Sequence, residues 1–378
     1  MAPFDVPFNR PFALGKELAY IREAIERSHL SGDGTFTKRC HLWLEEYAGC
    51  HKALLTHSCT AALEMAAILT GLEPGDEVIM PSFTFVSTAN ACVLRGAVPV
   101  FVDIRSDTLN LDETKIEEAI TSRTRAIFPV HYAGVGCAMD EIMSLAVRHD
   151  LLVIEDAAQA LMSTYKERPL GSIGHLGTIS FHETKVLVSG EGGALLINDP
   201  RWAARAEIIR EKGTNRSQFF RGEVAKYTWV DIGSSYLPSE IIAAFLWAQL
   251  ETADSIIRQR LALWDLYHEA LADSEKQGRL RRPVLPGECR HNGHMYYVLL
   301  PSRALRDRTI ETLAGLGINA VFHYIPLHSS AAGKKYGRAG GDLSLTEAIS
   351  ERLVRLPLWV GMTPEAISRV VEGVRRAC

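Results

Sequence analysis

Between residues 50 and 200 the chain alternates two hydrophobic patterns. Short, nearly continuous apolar runs fall at 53–56, 77–80, 98–104, 126–131, 151–156, 178–182 and 194–198. Between them lie longer helix-like stretches, such as 60–69, 112–121 and 139–149. Continuous apolar runs separated by helices predict a mostly parallel sheet covered on both faces. In such sheets ligands gather at the carboxyl ends of the strands, which decides where to look for chemistry. From Pro238 to about Leu271 one long helical run is expected, with proline at its start and no glycine inside it. The run 294–300, a helix at about 305–316 and the run 320–325 predict a smaller α+β unit. The chain has 378 residues, and roughly 150 residues per domain suggests two or three units. We place the boundary near residue 250, giving a large domain over 1–250 and a small C-terminal domain over 251–378.

Composition narrows the function classes. Hydrophobic content of 47% and charged content of 23% are ordinary for a globular chain. A net charge of −4, without a Lys/Arg block, gives no reason to expect a nucleic-acid or anionic-membrane partner. No apolar run reaches the ~20 residues of a membrane helix. The N-terminal stretch MAPFDVPFNRPF lacks the basic and apolar regions of a secretory signal. Seven cysteines, Cys40, Cys50, Cys59, Cys92, Cys137, Cys289 and Cys378, are scattered without a C-x-x-C pair, as reduced thiols would be. The expectation is a soluble cytoplasmic protein without a metal centre. His323 and His328 have no third ligand at metal-binding spacing.

Four segments carry candidate chemistry. The run 151–156 ends in the acidic pair Glu155-Asp156, where a buried strand meets the active edge of its sheet. Such an acid could equally cap a helix or hold magnesium, but no G-x-x-x-x-G-K-[ST] loop supports a nucleotide hydrolase. Lys185 follows the run 178–182 and precedes the glycine-rich stretch 190–193, where backbone can approach a ligand closely. An isolated lysine there is usually a surface residue. A desolvated one loses its proton more easily and becomes a nucleophile. Ser58, Cys59 and Thr60 open a predicted helix, whose first N–H groups can cradle a phosphate. An ordinary Ser/Thr cap explains the same residues. Phe83 and Phe85 follow another strand, and by themselves such aromatics are more often core than a stacking face. Together the four supply what pyridoxal 5′-phosphate (PLP) needs: an amine, a carboxylate for the ring nitrogen, a phosphate cradle and an aromatic face. The G-x-G at Gly134–Gly136 is a decoy, because the third glycine of a dinucleotide fingerprint would fall at Met139.

At these residues the sequence resembles the sugar-nucleotide aminotransferases, PLP-dependent enzymes of the aspartate-aminotransferase fold. The resemblance runs from Pro3-Phe4 to the C-terminal domain and rests on long stretches, among them CTAALEMA, PSFTFVSTANA, VIEDAAQ, SFHETK, DIGSSYL and AVFHYIPLH. It implies an α/β PLP-dependent transferase fold. It also implies that Lys185 bonds the cofactor and that Asp156 partners its ring nitrogen. Gln159 and Phe85 would lie by the ring, and Cys59, Thr60 and Ser180 at the phosphate. His323 and Tyr324 would sit near the sugar nucleotide. Ser235, Asn215 and Arg216 would face the site of a neighbouring subunit, making the protein a homodimer or larger. The same stretches are similar to the branch that aminates dTDP-4-dehydro-6-deoxyglucose to dTDP-4-amino-4,6-dideoxygalactose for enterobacterial common antigen, with L-glutamate as donor.

Two positions depart from the wider family. Gly233-Ser-Ser-Tyr-Leu237 replaces Gly-Tyr-Asn-Tyr-Arg, so Ser235 offers one hydrogen bond and no arginine follows. Val186 stands where relatives have Asn, and nothing in the sequence accounts for it. A dehydratase of this branch would carry His in place of Lys185, and a non-enzymatic scaffold should have lost part of the set. Amination at C3, or of a UDP-linked sugar, is the serious competitor.

Overall fold

The computed structural model describes residues 4–378, so Pro3 and the residues before it lie outside the described residues. Five apolar segments come first: β1 Lys52–Thr56, β2 Glu77–Pro81, β3 Val98–Val102, β4 Thr124–Ile127 and β5 Leu152–Asp156. Two short strands follow, β6 Thr164–Tyr165 and β7 Arg168–Pro169, then β8 Leu176–Ser180 and β9 Gly193–Ile197. The C-terminal part adds β10 Cys289–Arg290, β11 Tyr296–Leu299, β12 Arg338–Ala339 and β13 Leu353–Leu356. Eight of them form one sheet in the order β1-β9-β8-β5-β4-β2-β3-β12. All run the same way except β9, which is antiparallel to both its neighbours.

The strand pleat explains the continuous apolar runs. Successive side chains point to opposite faces, and both faces are covered. Ala53, Leu55, Ile79 and Val153 enter one core, with Phe36 of helix α2 (Thr35–Ala48). Leu54, Val78, Met80 and Ile154 enter a second, built against helix α3 (Cys59–Leu69). A further core joins Val6 to Trp264, Tyr267, Tyr296, Val298, Val354 and Val370 around the two-stranded β11–β13 sheet.

Three expectations are corrected. The helical run from Pro238 to Leu271 is two helices, Glu240–Leu250 and Ala253–Ala270. The Thr252 hydroxyl bonds back to the carbonyls of Ala248 (3.1 Å) and Gln249 (3.3 Å), a local bond that competes with helical continuation. The run 320–325 is not a strand; its ladder pairing with β13 is the single Val321–Arg355 bridge. The stretch 112–121 holds a short helix, Ile116–Ala119, after a 3-10 turn that Asp112 caps.

β12 brings part of the C-terminal segment back to the large sheet, parallel to β3. Its anchor is Glu77, fully buried, which accepts from Arg338 Nη2 (2.7 Å), Arg123 Nη2 (2.6 Å) and the Thr121 hydroxyl (2.8 Å). The Arg338 hydrogen bond is the largest influence holding the Glu77 pKa down, from 4.5 to about 2. A depressed carboxylate contributes stability that is fully present above its unfolded pKa and fades as pH falls toward the folded one. At ~1.4 kcal/mol per unit, that contribution is about 3 kcal/mol. Glu77→Gln is therefore expected to melt several degrees below the parent above about pH 5, with the gap narrowing between pH 4.5 and 2. A melting gap equal at pH 3 and pH 7 would sink this account.

Candidate active site

The carboxyl ends of β1, β2, β5 and β8 open into one cavity of about 770 Å³. Alternation along β5 separates the acidic pair. Glu155 shares a face with Val153 and is fully buried, where it accepts from the N–H groups of Gly171 (2.9 Å), Ile173 (2.6 Å) and Gly174 (2.6 Å) and pairs with His131 Nε2 (2.8 Å). It ties loops together. Asp156 points the other way and lines the cavity. Its Oδ2 accepts from the Thr88 hydroxyl (2.7 Å) and its Oδ1 from the Ala158 N–H (3.1 Å), and among the described residues no cation lies within ion-pair reach. Thr88 belongs to helix α4 (Val86–Val93), so β5 and α4 together aim the carboxylate.

Lys185 sits on a tight loop after β8. Its N–H donates to His182 O (2.9 Å), and the loop closes through Glu183 N–H to Gly190 O (2.8 Å) and Phe181 N–H to Gly192 O (2.9 Å). Val186, Leu187 and Val188 are buried beneath it, and Val186 packs into the first core. That is the structural reason for an apolar residue at 186. The Lys185 amine has no hydrogen-bond or ion-pair partner among the described residues, although the side chain lines the cavity beside Asp156. Burial lowers its pKa from the ordinary 10.5; Cys59 and Asp156 oppose that shift and Arg355 adds to it.

The start of α3 lines the same cavity. Ser58 caps it by accepting from Ala61 N–H (3.1 Å), and helix geometry leaves the N–H groups of Cys59 and Thr60 without intrahelical acceptors. The Thr60 and Ser87 hydroxyls share a 2.7 Å hydrogen bond, and Ser180 lines the same cavity. Gly193 is required here: a Cβ on it would lie 2.4 Å from Cys59 N, so only glycine lets β9 pass this close to the turn. Phe83 and Phe85 divide, Phe83 entering the core and Phe85 lining the cavity.

The small sheet closes the site. Gln159 is held at both ends: its Oε1 accepts from Ala133 N–H (2.7 Å) and its Nε2 donates to Tyr324 Oη (2.8 Å). His323 Nδ1 and the Tyr132 hydroxyl share a 2.7 Å bond. Burial, more than the positive Arg355, pushes the His323 pKa well below 6.5, so its ring is neutral near pH 7. Lys185, Asp156, Gln159, Phe85, Cys59, Thr60, Ser180, His323 and Tyr324 thus share one cavity. Ser235, Asn215 and Arg216 do not line it. Arg216 pairs with Glu211 (2.8 Å), the Asn215 amide oxygen accepts from Thr228 N–H (2.8 Å), and Ser235 is exposed beside Glu211. Sequence reasoning passed over Ser87, Thr88 and Arg355. The hydroxyls were findable one turn into the helix that follows Pro81-Ser-Phe-Thr-Phe85; the arginine had no local signal.

With a lysine loop and a carboxylate at the edge of such a sheet, and a small α+β part closing over them, the fold is that of the PLP-dependent transferases. The chain belongs to the DegT/DnrJ/EryC1/StrS aminotransferase family, whose model matches residues 14–375. It is 36% identical over 367 residues to GDP-perosamine synthase of Caulobacter vibrioides, covering 95% of each chain. The aminotransferase TlmJ from Streptoalloteichus hindustanus superposes with a TM-score of 0.90 at 30% identity, covering 98% of each chain. Spr1654 from Streptococcus pneumoniae, solved in its PLP form, superposes with a TM-score of 0.91 at 27% identity, over 99% of this chain and 98% of that one. The chain is accordingly a sugar aminotransferase.

Proposed function

We propose that this enzyme uses PLP to move an amino group from L-glutamate to a keto sugar carried on a nucleotide, acting as a cytoplasmic homodimer. The observation that carries the reading is the meeting, in one cavity, of a half-buried lysine whose amine has no partner and a carboxylate without a cation. PLP supplies an aldehyde for the amine and a protonated pyridine ring that takes up the electrons of a broken C–H bond. The residues present fit it. Asp156 would hold the proton on the ring nitrogen, while Thr88 fixes the carboxylate's direction. The main-chain N–H groups of Cys59 and Thr60, with the Thr60, Ser87 and Ser180 hydroxyls, suit the phosphate. Phe85 and Gln159 would flank the ring. The Lys185 amine, its pKa lowered by burial, would carry the proton between the reacting carbons.

For the acceptor we propose dTDP-4-dehydro-6-deoxyglucose, aminated at C4 to dTDP-4-amino-4,6-dideoxygalactose; the supporting stretches are SFHETK, DIGSSYL and AVFHYIPLH. A GDP-linked keto sugar is the second reading, favoured by the identity to GDP-perosamine synthase. Ser235, Asn215 and Arg216 would reach the cavity of a neighbouring subunit. One purified sample tests the set. It should be yellow, run as a dimer in light scattering, and carry its borohydride-reduced adduct on Lys185 by peptide mapping. Mass spectrometry and NMR of products from dTDP-, UDP- and GDP-keto sugars with glutamate then identify the acceptor. An adduct on another lysine, or an active monomer, would refute the corresponding part.

A further inference from the structure

His294 lines the cavity, yet its ring makes no hydrogen bond among the described residues. The residue leads into β11, and its backbone is fixed from both sides. Its N–H donates to Asn292 Oδ1 (2.9 Å) and its carbonyl accepts from Arg260 Nη2 (2.8 Å). Asn292 is fully buried, and its amide donates to the carbonyls of Gln159 (2.9 Å) and Leu161 (2.8 Å), in the loop that follows Asp156. One asparagine thereby registers His294 against the loop that carries Gln159.

Other buried histidines of this chain use their nitrogens inside the protein. His131 pairs Nε2 with Glu155 (2.8 Å) and accepts from Cys137 N–H at Nδ1 (3.2 Å), and His323 shares Nδ1 with the Tyr132 hydroxyl (2.7 Å). His294, only 8% exposed, uses neither nitrogen. Its Nδ1 is sealed from solvent without a partner; Nε2 is not sealed, so it is the nitrogen open to the cavity. Burial, and after it the charges of Lys185, Arg260 and Arg355, push the ring's pKa well below 6.5. Near pH 7 the ring is therefore neutral and carries one proton. On Nδ1 that proton would make a sealed donor with no acceptor, which folded chains avoid more strictly than an unpaired lone pair. On Nε2 it faces the cavity. The ring thus offers the cavity a single N–H, close enough to Lys185 to feel its charge.

We propose that His294 Nε2–H donates to the carbonyl oxygen of the keto sugar, at the carbon that is aminated; the assignment rests on the transaminase reading above. Lys185 has to reach the reacting carbon to move its proton, so a group beside Lys185 meets whatever that carbon carries. In the acceptor it carries a doubly bonded oxygen, which takes hydrogen bonds and has none to give. As the amine attacks, the N–C bond forms, the π pair of C=O moves onto oxygen, and the proton shed by nitrogen ends there. A donor already held against that oxygen stabilises the developing charge. A neutral imidazole polarises a carbonyl without giving up its proton. An imidazolium would instead add a positive charge beside those of Arg260 and Arg355.

Two measurements test the assignment. The first needs no turnover. It takes isotope-edited infrared spectra of the keto sugar, with carbon-13 at the carbonyl, bound to holoenzyme whose cofactor is in the aldehyde form and has no amine to transfer. The probe is dTDP-4-dehydro-6-deoxyglucose or a GDP-linked 4-keto sugar, whichever the parent aminates. In the parent the carbonyl stretch should lie below that of the free sugar; in His294→Phe it should return to the free value. The second is amination by enzyme loaded with pyridoxamine phosphate. His294→Phe should lower the single-turnover rate on the order of a hundredfold. The dissociation constant of the sugar should rise less than about tenfold, as befits one neutral hydrogen bond. His294→Gln, whose amide N–H falls at the place of Nε2, should recover part of the rate. His294→Asn, whose amide falls at the place of Nδ1, should not. An unchanged stretch, a His294→Phe rate within about threefold of the parent, or equal recovery by Asn and Gln would overturn the assignment. Should His294→Phe fail to fold, the Gln and Asn pair decides. A parent that aminates neither sugar brings down the acceptor reading itself, and this assignment with it.

Discussion

Lys185→Ala is expected to fold, to bind pyridoxamine phosphate without a covalent bond, and to lose turnover by at least a thousandfold. The lysine has two tasks, bonding the cofactor and carrying the proton, and a methyl group can do neither; proton transfer by a positioned side chain alone is worth about 10²–10⁴-fold. The fold should survive because the loop is anchored by Val186, Leu187 and Val188 and by its own main-chain hydrogen bonds, none of which needs the amine. The start of α3, Asp156 and Phe85 remain to hold the cofactor. Supplied with PLP and the aminated sugar nucleotide, the variant should retain both as a stable yellow complex, visible by absorbance and recoverable in crystals. Turnover within about tenfold of the parent would overturn the central assignment, since that corresponds to only ~1.4 kcal/mol of barrier.

Asp156→Asn is the second large effect. Asparagine nearly keeps the shape: its Oδ1 can accept from the Ala158 N–H while its Nδ2 donates to the Thr88 hydroxyl, so folding should be preserved. What disappears is the negative charge opposite the ring nitrogen. Removing one partner of a buried ion pair costs about 3 kcal/mol, which is on the order of a hundredfold in rate. Steady-state turnover, measured beside cofactor content, checks it. Thr88→Val should act in the same direction and more weakly, because it leaves the charge and removes only the bond that aims it. An Asp156→Asn enzyme that keeps its cofactor and near-parental turnover would remove Asp156 from the role.

Much of the architecture was legible because its signals are local. A strand buried on both faces must be apolar at consecutive positions, and β1, β2, β3, β5, β8 and β9 announce themselves in that way. The helices before residue 50 do not. Helix α2 follows Gly34, and the acceptor for its first N–H groups is Glu240, which takes those of Gly34 (3.1 Å), Phe36 (2.8 Å) and Thr37 (3.0 Å). A cap supplied from two hundred positions away leaves no mark beside the helix it starts. The helix Pro364–Ala377 is the opposite case: its Thr363 cap and first-turn proline are written locally.

By itself, then, the sequence determined a mostly parallel sheet and the strand ends at which Lys185, Asp156, Ser180 and Thr60 must emerge, because pleat and period are properties of neighbouring residues. Pleat and period alone could not decide between Glu155 and Asp156, which differ only in the face they present; there the resemblance pointed to Asp156. The sheet decided that, burying Glu155 under three loop N–H groups and leaving Asp156 to the cavity. Nor could the sequence show that Thr88 would aim the carboxylate, or that Arg355 would enter the cavity without a counter-charge. The Thr88–Asp156 contact joins residues 68 positions apart, and only tertiary packing, which sets which charges meet and which are left facing the ligand, brings it into being.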